Sequence, residues 1–168
     1  RSLYNIHKLA GNKVVSDIHF GDWGMPVAQI IAYIEHNNLD LDILNYEDLE
    51  TIYPKANQLS SENKDFYNTA KSIAMQLNSK NENYTKKWET VYNLAIPNIK
   101  TLLDKLRHKF DWYFGESDVV NETDLVVSKA IDEKKVKKDD GALISTQEVD
   151  PPILITKSDG SYLYLTTD

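Results

Sequence analysis

The chain is 168 residues long, 41% hydrophobic and 27% charged, the size and make-up of one globular domain, which excludes intrinsic disorder and collagen-like structure. Twenty-six acidic residues against 19 basic ones give a formal charge of -7, which argues against a general nucleic-acid coat or an anionic membrane surface as main partner. There is no cysteine, hence no disulfide framework, thiolate metal site or cysteine nucleophile. No apolar run approaches the roughly 20 residues of a membrane span, and a cytoplasmic protein with no membrane partner is the simplest expectation.

In chain order, Ser2 to Ala10 carries Leu3, Ile6 and Leu9 on one helical face with no capping residue ahead of it. Gly11-Asn12 stops that helix, and Lys13 to Phe20 alternates and is rich in β-branched residues, predicting a strand. Gly21-Asp22-Trp23-Gly24 is a turn, after which Val27, Ile30, Ile31 and Ile34 recur at helical spacing. Helix, strand, glycine-rich turn and helix make half of a doubly wound α/β unit, whose ligands sit at the carboxyl ends of its strands.

From about Asn45 to Lys109 the pattern is helical throughout. One stripe is Leu49, Ile52, Tyr53, Ala56 and Leu59, and a second is Phe66, Ala70, Ile73, Ala74 and Leu77. The third and longest runs from Tyr84 and Trp88 through Val91, Tyr92 and Ala95 to Leu102 and Leu106, with Pro97 expected to kink it. Aromatic residues at this spacing read as helix-packing core rather than as a base-stacking surface. Residues 110–116 predict a short aromatic strand, and Asn121 or Thr123 a cap for the helix carrying Leu125, Val126, Ala130 and Ile131. Lys134, Lys135, Lys137 and Lys138 lie among Asp132, Glu133, Asp139 and Asp140 and read as a solvated helix end. Ala142 to Ser145, Ile153 to Thr156 and Tyr162 to Thr166 are the remaining predicted strands, with a linker at Pro151-Pro152 and a turn at Ser158-Asp159-Gly160.

Two chemical patterns stand out. Asp17, His19 and Asp22 at a strand end have the residue types of a divalent-metal site that activates water. A small metal-dependent phosphoesterase is therefore one reading, although the further ligands such a site needs have no candidates, and a strand-end histidine bonded to its neighbours is the simpler one.

The second pattern extends along the chain. The segment from Gly11 to Gly24, ending in Gly-Asp-Trp-Gly, resembles the corresponding part of class I arginyl-tRNA synthetases. So, in the same order, do Phe110-Asp111-Trp112-Tyr113-Phe114-Gly115-Glu116-Ser117, Asp140-Gly141-Ala142-Leu143, and the run from Pro152 through Lys157-Ser158-Asp159-Gly160 to Tyr164-Leu165-Thr166-Thr167-Asp168. The chain departs from the common pattern at Met25-Pro26 and at Ala28. The resemblance implies an α/β fold: an incomplete Rossmann-like catalytic core with a long, mostly helical α+β insertion. Residues 1–40 would be part of the core, 41–150 the insertion, and 151–168 return strands of the core.

It implies as function the ATP-dependent activation of arginine and its transfer to the 3′ end of tRNA-Arg, with ATP and Mg2+ as cofactors of the parent enzyme and no obligate protein partner. The His-X-Gly-His and Lys-Met-Ser-Lys-Ser-like elements of the family are not in this sequence. The stretch is therefore expected to be an internal part of the catalytic region, with no catalytic residue, metal site or bound cofactor of its own and no activity in isolation. The family's Tyr-X-X-X-Asp falls on Tyr164 and Asp168, which the resemblance places at the arginine side chain. His19, Gly21, Asp22, Trp23 and Gly24 would line the adenosine and aminoacyl side of the cleft. Asp159 and Gly160 read as a turn and Lys157 as a solvated lysine. A third reading is a non-catalytic tRNA-contacting module.

Overall fold

A computed structural model describes residues 1–158, 160 and 162–167, with Tyr164 and Thr167 described by backbone alone. The chain divides into two compact units, residues 1–114 and 115–168.

In the first unit, α1 (Ser2–Leu9) is followed by β1 (Asp17–Phe20), shorter than the predicted strand, and α2 (Met25–His36). A single 3-10 turn leads into α3 (Tyr46–Glu62), α4 (Lys64–Asn78) and α5 (Glu82–Lys105). The last three helices each start on an asparagine. The Asn45 side chain accepts from the Asp48 N–H while Asp48 accepts from the Asn45 N–H. The side chains of Asn63 and Asn81 accept from the Asp65 and Asn83 N–H groups respectively. Each cap satisfies donors that the first helical turn cannot pair internally.

These helices bury the predicted stripes against one another. Val27, Ala28, Ile31 and Ala32 of α2 form the core with Leu49 and Ala56 of α3, Phe66, Ala70, Ile73 and Leu77 of α4 and Val91 of α5. Ala28, Ala56 and Ala70 have no exposed surface at all, and their small size lets the helix backbones approach closely. Two polar links join these helices, the first buried and the second at the edge of the core. Gln29 Nε2 donates to Ser60 Oγ at 2.9 Å, and Lys87 of α5 pairs with Glu35 of α2. Some members of the stripes stay outside: Tyr53, Leu102 and Leu106 are exposed. The helix α5 runs on through Pro97, and α3 through Pro54. None of the α1 residues is buried.

β2 (Trp112–Gly115) pairs with β1 in a two-stranded sheet, its last residue counted in the second unit. In that unit α6 (Glu116–Asp132) begins several residues before the predicted caps. The Asp118 carboxylate accepts from the Gly115 N–H at 2.8 Å, and Glu116 and Asp118 place negative charge where the helix dipole favours it. Asn121 and Thr123 therefore lie inside the helix, where the Thr123 hydroxyl donates to the Val119 carbonyl.

The lysine cluster is divided: Lys134 and Lys135 donate their N–H groups to the Ile131 and Ala130 carbonyls at the end of α6, as expected, whereas Lys137 and Lys138 belong to a strand. β3 (Val136–Asp139) and β4 (Ala142–Ser145) form an antiparallel hairpin with Asp139 opposite Ala142. Its two turn residues, Asp140 and Gly141, both have positive φ, 46° and 80°, as a tight hairpin turn of the primed type requires. β5 (Leu154–Thr156) completes a sheet of order β3-β4-β5. β3 lies at its edge, where lysines discourage pairing with another chain. The predicted strand from Tyr162 to Thr166 is replaced by a single bridge of Tyr162 to Thr156 and one helical turn, α7 (Tyr164–Thr167).

Candidate active site

The turn between β1 and α2 is held from several sides. Gly24 has φ 77° and ψ -147°, a conformation that side chains make costly and glycine does not. Its carbonyl accepts the Ala28 N–H at 3.1 Å, starting α2. Pro26 falls in the first turn of that helix, where its missing N–H would have no partner anyway. Ala28, the other departure from the family pattern, puts its methyl in the core.

Asp22 is buried and Trp23 half-buried, while His19 and Gly21 are exposed. The Asp22 carbonyl accepts from the indole N–H of Trp88 on α5 at 2.6 Å. The indole N–H of Trp23 donates to Asn78 Oδ1 at the end of α4, at 3.0 Å. The two indole rings meet edge to face with centroids 5.1 Å apart, a favoured aromatic geometry. Tyr92 extends the cluster, 5.3 Å from Trp88.

A second clamp joins the starts of β1 and β2. Asp111 Oδ2 accepts both the N–H and the hydroxyl of Ser16, each at 2.8 Å. The N–H groups of Asp111 and Trp112 in turn donate to the Ser16 carbonyl. The Ser16 N–H, then its hydroxyl and, more weakly, the Lys8 charge hold the Asp111 carboxyl below the usual carboxylate range. Phe20 stacks on Tyr113 beyond this clamp. Asp111 and Ser16 lie in two of the segments that carry the family resemblance, but nothing in the sequence marked them as partners.

Among the described residues no group of three His, Cys, Asp or Glu side chains comes together as a metal site. Asp17 and His19 are exposed strand residues and Asp22 is buried, so the phosphoesterase reading is left without a ligand set. At the other end of α2 a groove of about 270 Å³ is lined by Tyr33, His36, Lys55, Gln58 and Glu62 among others. Its Gln58 amide donates to Glu62, and it holds no serine, threonine or cysteine for a histidine to activate.

In the second unit, the segment carrying the expected arginine contacts is tied down at three points. The Tyr162 hydroxyl donates to Asp124 Oδ1 on α6, and burial, reinforced by that carboxylate, pushes the phenol up to about 12. The Thr166 hydroxyl donates to the Ile155 carbonyl at 2.7 Å. The Thr156 hydroxyl, on buried Thr156, accepts the Leu143 N–H at 3.2 Å. Tyr164 opens α7 rather than continuing a strand. Asp168 and Asp159 lie outside the described residues. Lys157 is exposed as expected, and its carbonyl accepts the Gly160 N–H to close the predicted turn.

A family model described as "tRNA synthetases class I (R), catalytic domain" matches residues 1–168. The chain is 29% identical to the arginine--tRNA ligase of Alkaliphilus oremlandii, over 99% of this chain and 32% of the relative. It is 28% identical to that of Francisella tularensis subsp. novicida, with the same coverage. It thus spans about a third of the length of these curated relatives. Among solved structures, an arginyl-tRNA synthetase from Plasmodium falciparum superposes with a TM-score of 0.74 at 22% identity, covering 99% of this chain and 28% of that one. A putative arginyl-tRNA synthetase from Campylobacter jejuni gives 0.55 at 16% identity, covering 99% and 37%.

Proposed function

The chain belongs to the class I arginyl-tRNA synthetase catalytic-domain family, and we propose that it forms part of an arginine–tRNA ligase, contributing an arginine pocket and one wall of the cleft. The observation that carries this reading is the family match along all of residues 1–168. The reaction would be attack of the arginine carboxylate on the α-phosphate of ATP with release of pyrophosphate. A ribose hydroxyl at the tRNA 3′ end would then attack the activated carbonyl, releasing AMP. Positioning and charge stabilisation carry most of such a reaction. Arginine, ATP and tRNA-Arg are thus the proposed partners, in the cytoplasm.

Within this scheme residues 1–40 and 151–168 belong to the catalytic core and 41–150 to the connective insertion. Asp168 takes the arginine guanidinium in a bidentate pair, the geometry for which a planar fork and a carboxylate are matched. Tyr164 supplies a second contact from its hydroxyl or ring. His19 and the turn from Gly21 to Gly24 line the cleft. The Mg2+ that accompanies ATP finds no clustered acidic or histidine ligands among the described residues, so no step is assigned to a metal held by this chain. The isolated 168 residues are expected to be inactive.

The test is aminoacylation by the full-length protein. Purified protein should charge tRNA with arginine in an ATP-dependent way. Asp168→Ala should raise the KM for arginine about 100-fold, the scale of losing one charge-assisted pair in a desolvated pocket. An unchanged arginine KM in that variant would remove Asp168 from the pocket.

A further inference from the structure

The grip of two helices on the turn extends the proposed site to residues outside it. The inference rests on the reading of Gly21 to Gly24 as a wall of the cleft. A peptide unit is planar and trans, so fixing one carbonyl fixes the neighbouring N–H. With the Asp22 carbonyl held by the Trp88 indole at 2.6 Å, the Trp23 N–H is aimed away from α5. The Trp23 ring is then fixed by Asn78 Oδ1 at 3.0 Å and by the edge of Trp88 at 5.1 Å. Gly24 follows in a backbone conformation that glycine alone tolerates well. Two consecutive residues are gripped from α4 and α5, and the third is set by its own backbone, so the turn keeps one conformation.

We propose that Trp88 and Asn78 are positioning residues for the active-site turn, through which the insertion sets the geometry of the core. An indole N–H is a donor only, and at Trp88 phenylalanine keeps an aromatic ring but is smaller and removes the anchor, which is why the exposed Asn78 is tested beside it. Asn78 is exposed at the last turn of α4, so its truncation leaves the hydrophobic core intact.

The experiment uses the full-length ligase with Trp88→Phe, Asn78→Ala and Asn78→Asp, varying ATP, arginine and tRNA separately. Trp88→Phe and Asn78→Ala should each raise the KM for ATP or arginine about fivefold, the equivalent of one hydrogen bond, and leave the tRNA KM unchanged. Asn78→Asp keeps an oxygen acceptor and should restore the wild-type values. A purely structural role would lower the amount of active enzyme, reducing kcat with every KM unchanged, and that result overturns the proposal, as does no kinetic change at all. If Trp88→Phe does not fold, the Asn78 pair decides alone. Wild-type protein that fails to charge tRNA with arginine would sink the underlying function instead, which keeps the two failures apart.

Discussion

The Gln29–Ser60 link between α2 and α3 makes a quantitative prediction about what seats the turn. Both residues are more than nine-tenths buried, at 9% and 8% exposure, and one amide N–H···O bond of 2.9 Å joins them. Ser60→Ala removes the acceptor and strands a buried amide donor, a loss of about 1–3 kcal/mol. Gln29→Met combined with Ser60→Ala removes both partners and keeps the volume apolar, and should recover most of that loss, to within about 1 kcal/mol of the parent. Urea unfolding can be followed by tryptophan fluorescence, because Trp23, Trp88 and Trp112 all lie in the first unit. With a slope of about 2 kcal/mol/M, Ser60→Ala should lower the midpoint by about 1 M. Two single losses that simply add in the double variant, to within about 0.4 kcal/mol, would refute the claim that this bond couples the helices.

Two further substitutions probe the other clamps. Gly141→Ala should destabilise the second unit by about 1–2 kcal/mol, since φ there is 80° and a new Cβ would meet Ser158 Cβ at 3.3 Å; an unchanged melting of that unit would contradict the hairpin geometry. For Asp111, a carboxyl held below its usual range adds stability that is complete above the unfolded value near pH 4 and lost as pH falls through the lower folded value. Asp111→Asn should therefore be less stable than the parent at neutral pH and show a shallower loss below about pH 4. Parallel acid limbs in parent and variant would show that the Ser16 contacts do not depend on the charge.

The parts of the fold legible in the sequence are those written by local period. The stripes of α3 and α4 and the apolar face of α2 could be read because each helix packs one face against the others. Misreadings occur where two local signals compete. Tyr162-Leu163-Tyr164-Leu165 alternates like a strand, yet the Thr166 hydroxyl bonded to the Ile155 carbonyl accompanies a helical turn there. Four lysines among four acids look like a solvated helix end, which Lys134 and Lys135 are, but the Asp140-Gly141 turn draws Lys137 and Lys138 into a strand by pairing β3 with β4. In the candidate site the glycine turn was visible, but its supports were not. Trp88 lies 66 positions from Asp22, Asn78 lies 55 from Trp23, and Asp111 lies 95 from Ser16. No pattern within a window of one element connects them.

The same division into units changes what the net charge says. Residues 1–114 carry 14 acidic and 13 basic side chains, a charge of -1, whereas residues 115–168 carry 12 acidic and 6 basic, a charge of -6. Repulsion of a polyanion acts through local surfaces within about a Debye length, roughly 8 Å at physiological salt, rather than through the total. The excess acid sits in the shorter unit, with Glu116, Asp118, Glu122 and Asp124 all on α6, and says little about the first. Arg107 and Lys109 just beyond α5, with Lys100 and Lys105 inside it, leave the end of that helix basic, as the helix dipole favours. A charge of -7 is thus compatible with a family whose members act on tRNA. The acidic total that composition reports therefore describes α6 and not the end of α5.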